Sequence, residues 1–488
     1  MLVTMQRWLL GLLFFSPLTL SAQQVLTLDS CRAMALRNNK QMSISRIKQD
    51  VATNLRKSAR TQYLPRVNAV GGYLWTSSEV SVLNDDQKSA LGNLGANTVG
   101  SLQSRLADII QSLPATIQSA LLQGMGQLAG GLNQAGAGVV NAFRTDTRNM
   151  FAGAVMVTQP VFMGGTIVAM NKMADISEDF AANSLDAERQ ATLYSIDQAY
   201  WQVVSLKHKQ KLAESYKIVV EKFNSDVEKM IEEGVATRSD GLSVNVKLNE
   251  AEMTLTKVND GVVLAKMLLC QLCGMPVDSQ ITLAEEEQEN LAVNNTTHII
   301  DMDMVSARRP ELKMLQNSVD LSKQMTNVLK AGNLPQVALT GGYAVTNPNL
   351  LNGFQKKFAG LWNVGVLVRI PIWNWGDIKY KVRAAKGATA IANLQLEEAR
   401  EKIELQVNQN SFRVKEANKK LAMAKANIER AEENLRTANL GFQEGVITPT
   451  VVMEAQTAWL QAQSEVIDAE IDVKLSQVEL QKALGTLE

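Results

Sequence analysis

Histidine is almost missing from this chain: His208 and His298 are the only two in 488 residues, and neither has metal-ligand spacing around it. Cysteine is scarce too. Cys270 and Cys273 form a C-x-x-C, but they sit inside a helical heptad pattern beside Leu269 and Leu272, with no second ligand pair and no βαβ unit. They read as buried structural residues, and Cys31 reads as a small apolar residue near the first helix start. The twenty methionines are scattered, with Met302 and Met304 the nearest approach to a cluster, and serve as core filling. No Gly-rich phosphate loop and no nucleophile elbow occurs. The expected catalytic, cofactor-binding and metal-ligating sets are therefore all empty, and an enzyme is not indicated. Net charge is also lacking, with 49 basic and 49 acidic residues, which argues against a nucleic-acid binder or a polybasic membrane-surface protein. Ten prolines and 5% aromatics favour extended helices over a compact all-β fold.

Past the N-terminus there is no long apolar run, so any membrane crossing must be made by a β-barrel. The N-terminus itself has the form of a signal peptide. Arg7 precedes an apolar run from Trp8 to Phe15, and Ser21-Ala22 is a small-residue exit, placing cleavage after Ala22. The run is short for a bilayer span. No cysteine follows the cleavage point directly, so a lipid anchor there is unsupported. The mature chain is expected to be exported.

The chain repeats itself. "YLPRVNAVGGY" (63–73) answers to "NLPQVALTGGY" (333–343), an offset of 270. "QPVFMGG" (159–165) answers to "IPIWNWG" (370–376), "EEGVATRSDGL" (232–242) to "QEGVITPTVVM" (443–453), and "LCG" (272–274) to "ALG" (483–485), all at an offset of 211. The smaller offset means that the first copy carries 59 extra residues between its Gly-Gly-Tyr and its second proline. The expected division is a first repeat over 23–274, an acidic and polar linker over 275–296, and a second repeat over 297–488. The insertion, 80–145, is rich in Gly, Ala, Leu and Gln, with amphipathic pieces around Leu102–Leu113 and Ile117–Leu128, and is expected to emerge on the extracellular side.

Helical periodicity dominates both copies. Val452, Ala455, Trp459, Ala462, Val466, Ala469, Val473, Ser476, Leu480 and Ala483 recur at alternating steps of three and four. The seam from Val244 to Leu272 does the same, as does Leu421 to Phe442 before the second turn. Such heptads mean helices packed side by side as coiled coils. Ile467, Ile471 and Val478 add a second stripe, as a helix flanked on both sides requires. Residues 166–232 and 377–444 carry no proline and predict two helices of roughly 100 Å each, a rod rather than a globule. Gly234 and Gly445 end them as C-terminal caps, and short turns send the chain back antiparallel.

Four segments alternate with period two. Their apolar sets are Val67 to Trp75, Phe151 to Val157, Val337 to Val345 and Trp362 to Ile370, counting every second residue. The opposite faces hold Asn68, Thr76, Thr158, Gln336, Thr340, Asn363 and Arg369. One apolar face with terminal aromatics is the pattern of a transmembrane β-barrel, though a half-buried soluble sheet has the same period. Four strands are too few to close, because such barrels need at least ~8. Oligomerisation is therefore expected, with three chains and twelve strands leaving room for a pore. Pro65 and Pro335 end helices where strands begin; Pro160 and Pro371 are expected to mark the return from strand to helix. The Gly-Gly pairs are expected to relieve curvature or crowding in the wall.

The ordered set of helix, Leu-Pro-x-Val strand, "QPVFMGG"-like exit, long helix with "AYWQVV" (199–204), "EGV…T" turn and heptad helix ending in Leu-Gly or Cys-Gly, given twice, resembles the TolC-type outer-membrane channel proteins. The resemblance covers nearly the whole mature chain. It implies a mainly α fold with a β-barrel portion: a homotrimer with a twelve-stranded barrel in outer-membrane lipid, continuing into a periplasmic α-helical tunnel. It further implies a passive duct docked by a periplasmic adaptor protein and an inner-membrane pump or ATP-driven exporter, carrying small molecules or proteins, without cofactors or nucleic acid. By the same resemblance Asp240 and Glu454 match acidic positions that constrict the periplasmic mouth, while Val451 stands where copy two would repeat Asp240. Gly234, Val235, Gly445 and Val446 match the turns against which adaptors pack. For the two carboxylates the plain alternative is a solvated helix charge, and for the glycines a simple helix cap. The rival function is an envelope coiled-coil scaffold that conducts nothing.

Overall fold

The computed structural model describes residues 24–79, 81–144, 146–288, 301–349 and 355–487. The expected signal peptide, residues 289–296 of the expected linker, and His298 lie outside them. In chain order the first half comprises β1 (Gln24–Leu26), α1 (Leu28–Asn38), α2 (Lys40–Arg60) and β2 (Arg66–Trp75). Four helices follow: α3 (Asp85–Gly92), α4 (Leu94–Arg105), α5 (Ala107–Gln111) and α6 (Ala115–Ala142). Then come β3 (Asn149–Met163), α7 (Thr166–Glu232), α8 (Arg238–Cys273) and β4 (Ile281–Leu283). The second half comprises α9 (Met302–Arg308), α10 (Pro310–Ala331), β5 (Gln336–Asn347), β6 (Ala359–Arg369), α11 (Asp377–Gln443) and α12 (Pro449–Leu484). Both α7 and α11 have 67 residues, and both α8 and α12 have 36. Among the described residues no helix is long and apolar enough to cross a membrane.

The chain divides into two compact units. The helical one takes Lys172–Gln324 and Ala384–Glu488 together with the residues up to Arg56. Its helices bury the heptad seams read from sequence: Val244, Ala251, Val262, Ala265 and Leu269 in α8, and Val452, Ala455, Ala462, Ala469 and Val473 in α12. Each such Val or Leu contributes about 1.5–3 kcal/mol relative to exposure, whereas the alanines mainly permit close approach. The second stripe of α12, with Ile471 and Val478 buried, is in use as well. Gly274 and Gly485, at φ +72° and +70°, cap α8 and α12 in the left-handed conformation that glycine adopts without strain.

Two features of this unit had no local signal. β1 pairs in parallel with β4, so part of the expected linker is built into the core: Leu26, Ile281 and Leu283 are buried in one cluster with Ile196, Tyr200 and Leu269. The segment's acidity serves that packing, since Glu286 is buried, accepts from the Leu283 N–H at 3.0 Å and pairs with Lys266 at 2.9 Å. Beside it, Arg32 donates to both carboxylate oxygens of Asp197, at 2.8 and 2.5 Å, and the Asp197 side chain is wholly buried. A fork-shaped guanidinium satisfies a buried carboxylate better than any other side chain.

The other unit spans Lys57–Asn171 and Met325–Arg383. Its sheet is antiparallel throughout, in the order β2-β3-β5-β6. β2 begins directly after Pro65 and β5 directly after Pro335, where a missing N–H stops the helix, as expected. Pro160 departs from expectation. It lies inside β3, not at its end, and the register shifts between Pro160 and Phe162. A bulge accommodates the residue that cannot donate to the ladder, and the strand continues to Met163. The insertion is helical. The carbonyl side of Ala129 in α6 passes so close to α4 that a methyl added at Gly95 would lie 2.0 Å from the Ala129 oxygen. Asn133 Oδ1 accepts from the N–H groups of Gly95 and Ala96 at 2.7 and 3.1 Å, capping α4 from the side of α6.

The Arg32–Asp197 pair yields a direct test of the helical unit. Arg32→Met leaves a buried carboxylate unpaired and should cost about 3–5 kcal/mol. Arg32→Met combined with Asp197→Leu should recover most of that loss. Thermal unfolding followed by circular dichroism reads both, and equal loss in the single and double variants would contradict the assignment.

Candidate functional site

The pairing register decides what the sheet can do. Ala69, Val155, Tyr343 and Trp362 lie in one row across the four strands, and Val67, Val157, Gly341 and Val364 in the next but one. All four apolar sets therefore fall on one face, although nothing in any single strand dictates its register against the others. No charged side chain lies on that face between Val67 and Trp75, Phe151 and Gln159, Val337 and Asn347, or Gly360 and Val368. The face is open: Trp362 and Val364 are 73% and 77% exposed. Among the described residues β2 and β6 pair on one side only, so each presents an unpaired row of backbone N–H and C=O groups.

Aromatic rings bound this face at both ends of the strands. Tyr73 and Phe151 meet with ring centroids 4.8 Å apart, and Phe358 lies 6.0 Å from Phe151. Tyr73 donates its hydroxyl proton to Asn149 Oδ1 at 2.7 Å. Past the opposite end, Trp373 and Trp375 stack edge to face at 5.6 Å, with Trp375 84% exposed. Charge gathers beyond the first aromatic row, where Asp146 pairs with Lys356 at 2.8 Å and with Arg148 at 3.1 Å, and Glu79 with Arg144 at 3.2 Å. Hydrogen bonds from Lys356 and Arg148 hold the Asp146 carboxyl well below its usual range. From Val337 to Asn347 the strand climbs about 34 Å at ~3.4 Å per residue, or roughly 26 Å at a tilt of ~40°. That is the height of the apolar band on barrels that cross a membrane.

Two glycines let the wall close up. A methyl at Gly342 would lie 2.6 Å from the backbone oxygen of Val155, and one at Gly360 would strike the Tyr343 ring, 2.0 Å from its hydroxyl. Gly72, the counterpart of Gly342 in the first repeated string, has nothing within 4 Å, and Gly71 meets nothing nearer than 3.8 Å. Crowding relief thus applies to one Gly-Gly pair and not to the other.

The turns lie in the helical unit. Gly234 (φ +77°) and Gly445 (φ +71°) follow α7 and α11. The same bonds close each turn: Gly234 N–H to Ile231 O at 3.1 Å with Val235 and Ala236 N–H to Met230 O at 2.8 and 3.1 Å, then Gly445 N–H to Phe442 O at 3.0 Å with Val446 and Ile447 N–H to Gly441 O at 2.8 and 3.1 Å. This is the Schellman cap, made twice. Val235 and Val446 are left 65% and 81% exposed, and no atom lies within 4 Å of where a side chain at either glycine would begin. The helix ends behind both turns share one core, in which Phe223 and Val227 of α7 pack with Val244, Phe442 and Val452. The Phe223 and Phe442 rings are 5.1 Å apart.

Glu454 is exposed, whereas Asp240 is half-buried. Asp240 has a local partner: its Oδ2 accepts from the Thr237 hydroxyl at 2.6 Å and from the Thr237 N–H at 3.0 Å, while Thr237 Oγ1 accepts from the Asp240 N–H. These bonds pull its pKa below the ordinary carboxylate value and complete a capping box at the start of α8. At the start of α12, Pro449 follows Thr448 and no side-chain cap bond is made, so Val451 has no such duty. Among the described residues no cluster of His, Cys, Asp and Glu could hold a metal ion.

A family model described as outer membrane efflux protein matches residues 302–486. The chain is 24% identical over 210 residues to the outer membrane protein TolC of Vibrio cholerae, a match covering 42% of this chain and 48% of that one. The chain thus spans about half the length of that curated relative. Among solved structures, the outer-membrane channel OprN superposes with a TM-score of 0.72 at 15% identity, covering 94% of this chain and 90% of that one. The CmeC outer membrane channel of Campylobacter jejuni gives 0.71 at 14%, with coverage of 94% and 85%. At such identities the likeness is one of fold.

The two glycines separate the roles of the Gly-Gly strings. Gly342→Val should sharply reduce the yield of folded protein recovered from membranes, because the β3 backbone cannot retreat, whereas Gly72→Val, which meets nothing within its own chain, should reduce it less. Comparable yields for both would remove the steric argument.

Proposed function

We propose that this chain, whose residues 302–486 belong to the outer membrane efflux protein family and whose fold is that of the TolC-type channels, is one subunit of a passive export duct. It is an outer-membrane protein that extends into the periplasm. Three copies supply twelve strands, and the open edge of β2 in each copy pairs with β6 of the next. The carrying observation is the uncharged, uncovered face on a sheet with two unpaired edges, because lipid tolerates such a face and forbids such edges. Twelve strands leave a lumen where eight would fill with side chains. The insertion crowns the outer mouth. The duct performs no chemistry, and an inner-membrane pump or ATP-driven exporter supplies the energy.

In this reading the turns at Gly234-Val235 and Gly445-Val446 receive a periplasmic adaptor, supported by their exposed valines and open surroundings. Asp240 and Glu454 narrow the periplasmic mouth, three copies of each setting up a ring of negative charge. For Asp240 the capping box is a second duty, since one carboxylate can accept from Thr237 and still present its charge.

The native mass in detergent should be three times that of the mature chain, and the purified protein should conduct ions across a planar bilayer. A stable folded monomer would end the barrel reading, and a trimer that passes no current would favour the scaffold. Asp240→Ala with Glu454→Ala should weaken cation preference in single-channel recordings; unchanged conductance and selectivity would release both residues from the mouth.

The turn assignment is tested separately. Gly234→Val with Gly445→Val strains both caps and fills the space beside them. Each turn is separated from the strands along the chain by a 67-residue helix. Trimer yield should therefore hold while crosslinking to the adaptor and export fall. Wild-type crosslinking in a trimer-forming double variant would move the docking surface elsewhere.

A further inference from the structure

We propose that Cys31 and Cys273 are joined by a disulfide in the exported protein, leaving Cys270 as a free thiol. All three are thiols in this structure and all are fully buried. Cys31 lies in the first turns of α1 and Cys273 is the last residue of α8, 242 positions later. The fold nonetheless brings them together: both are buried in one cluster, and the Cys273 thiol donates to the backbone oxygen of Cys31 at 3.8 Å. Cys270 is turned elsewhere, its Sγ directed at Ser279 O at 3.9 Å. The C-x-x-C spacing, which singles out Cys270 with Cys273, thus points to the wrong pair.

An outer-membrane protein crosses the periplasm, where thiols meet an oxidising environment before the chain has folded. The step balances with a protein disulfide of that compartment as oxidant. One of the two thiolates attacks the oxidant's disulfide, forming a mixed disulfide and releasing one oxidant thiol. The second thiolate then displaces the other, so that two cysteine thiols lose two protons and two electrons and the oxidant leaves as a dithiol. The exchange takes place before α1 has docked on α8, since both sulfurs are sealed from solvent afterwards.

The two ends so joined are already held by weaker bonds. Asn39 Nδ2 donates to Leu272 O at 3.2 Å, just beyond the cysteines. In the second half of the chain Arg309 makes the corresponding tie, donating to the oxygens of Lys482 and Ala483 at the end of α12 at 3.1 and 3.0 Å. A disulfide closing so long a loop restrains the unfolded chain strongly.

The proposal rests on export of the chain, and one experiment separates the two. Protein purified from outer membranes without reductant is unfolded, alkylated with iodoacetamide and weighed intact, then digested unreduced. The expected result is a chain lacking residues 1–22 with one adduct, three adducts after prior reduction, and a linked peptide pair containing Cys31 and Cys273. Cys270→Ser should keep the link and Cys31→Ser should abolish it. Reduction should lower the melting temperature of the wild type and leave that of Cys31→Ser unchanged. A mature chain with three adducts before reduction, or with Cys270 linked to Cys273, would overturn the disulfide while leaving export intact. A chain that keeps residues 1–22 would overturn the export premise and the disulfide with it.

Discussion

The unpaired backbone of β2 and β6 constrains everything else in the sheet unit. Each N–H and C=O along those strands needs a partner, and in hydrocarbon no water is available to provide one. The face between them carries no charge and lies uncovered, so the sheet is suited to lipid only once its edges are closed. Among the described residues this sheet has four strands, fewer than the ~8 that a transmembrane barrel needs to close. In the proposed assembly neighbouring copies close those edges, and the aromatic rows and the charged cluster beyond Phe151 border the apolar band.

The helical unit answers a different demand. Helices of 67 residues gain little from their caps and depend on their seams. Small residues at alternate seam positions bring neighbouring axes close, and α12 buries two stripes because it has neighbours on two sides. The polar pairs that cross this unit, Arg32 with Asp197 and Lys266 with Glu286, add little net stability over apolar packing. They do penalise any arrangement that leaves one partner behind. Their service is to orientation.

The two halves of the chain solve the same local problems with different residues, and the differences follow from physical requirements. Asp240 completes a capping box with Thr237, whereas Pro449 presets the first turn of α12 and frees Val451 from that task. Gly342 is needed because the Val155 backbone passes beside it, whereas Gly72 on the edge strand has open space. A matching position in a repeated sequence thus need not carry a matching duty.

Local rules were enough to read the order of the long helices and of the four alternating strands from the sequence. Heptad spacing located α8 and α12, glycines at the ends of proline-free runs placed the two turns, and Leu-Pro strings marked where β2 and β5 begin, because each depends only on residues a few positions apart. The alternating strands showed their apolar sets for the same reason, but not that one register would align all four. Pro160 shows where a local rule fails: the pairing of β3 with β5 keeps the strand going past a residue that should have ended it, at the cost of a bulge. What only the tertiary structure decided lies at long separation. The parallel pairing of β1 with β4, the Arg32 fork on Asp197 and the meeting of Cys31 with Cys273 join residues far apart along the chain. A sequence pattern records which side of a helix or strand is apolar. It does not record which other segment will cover that side, because that choice is made by packing the whole chain at once.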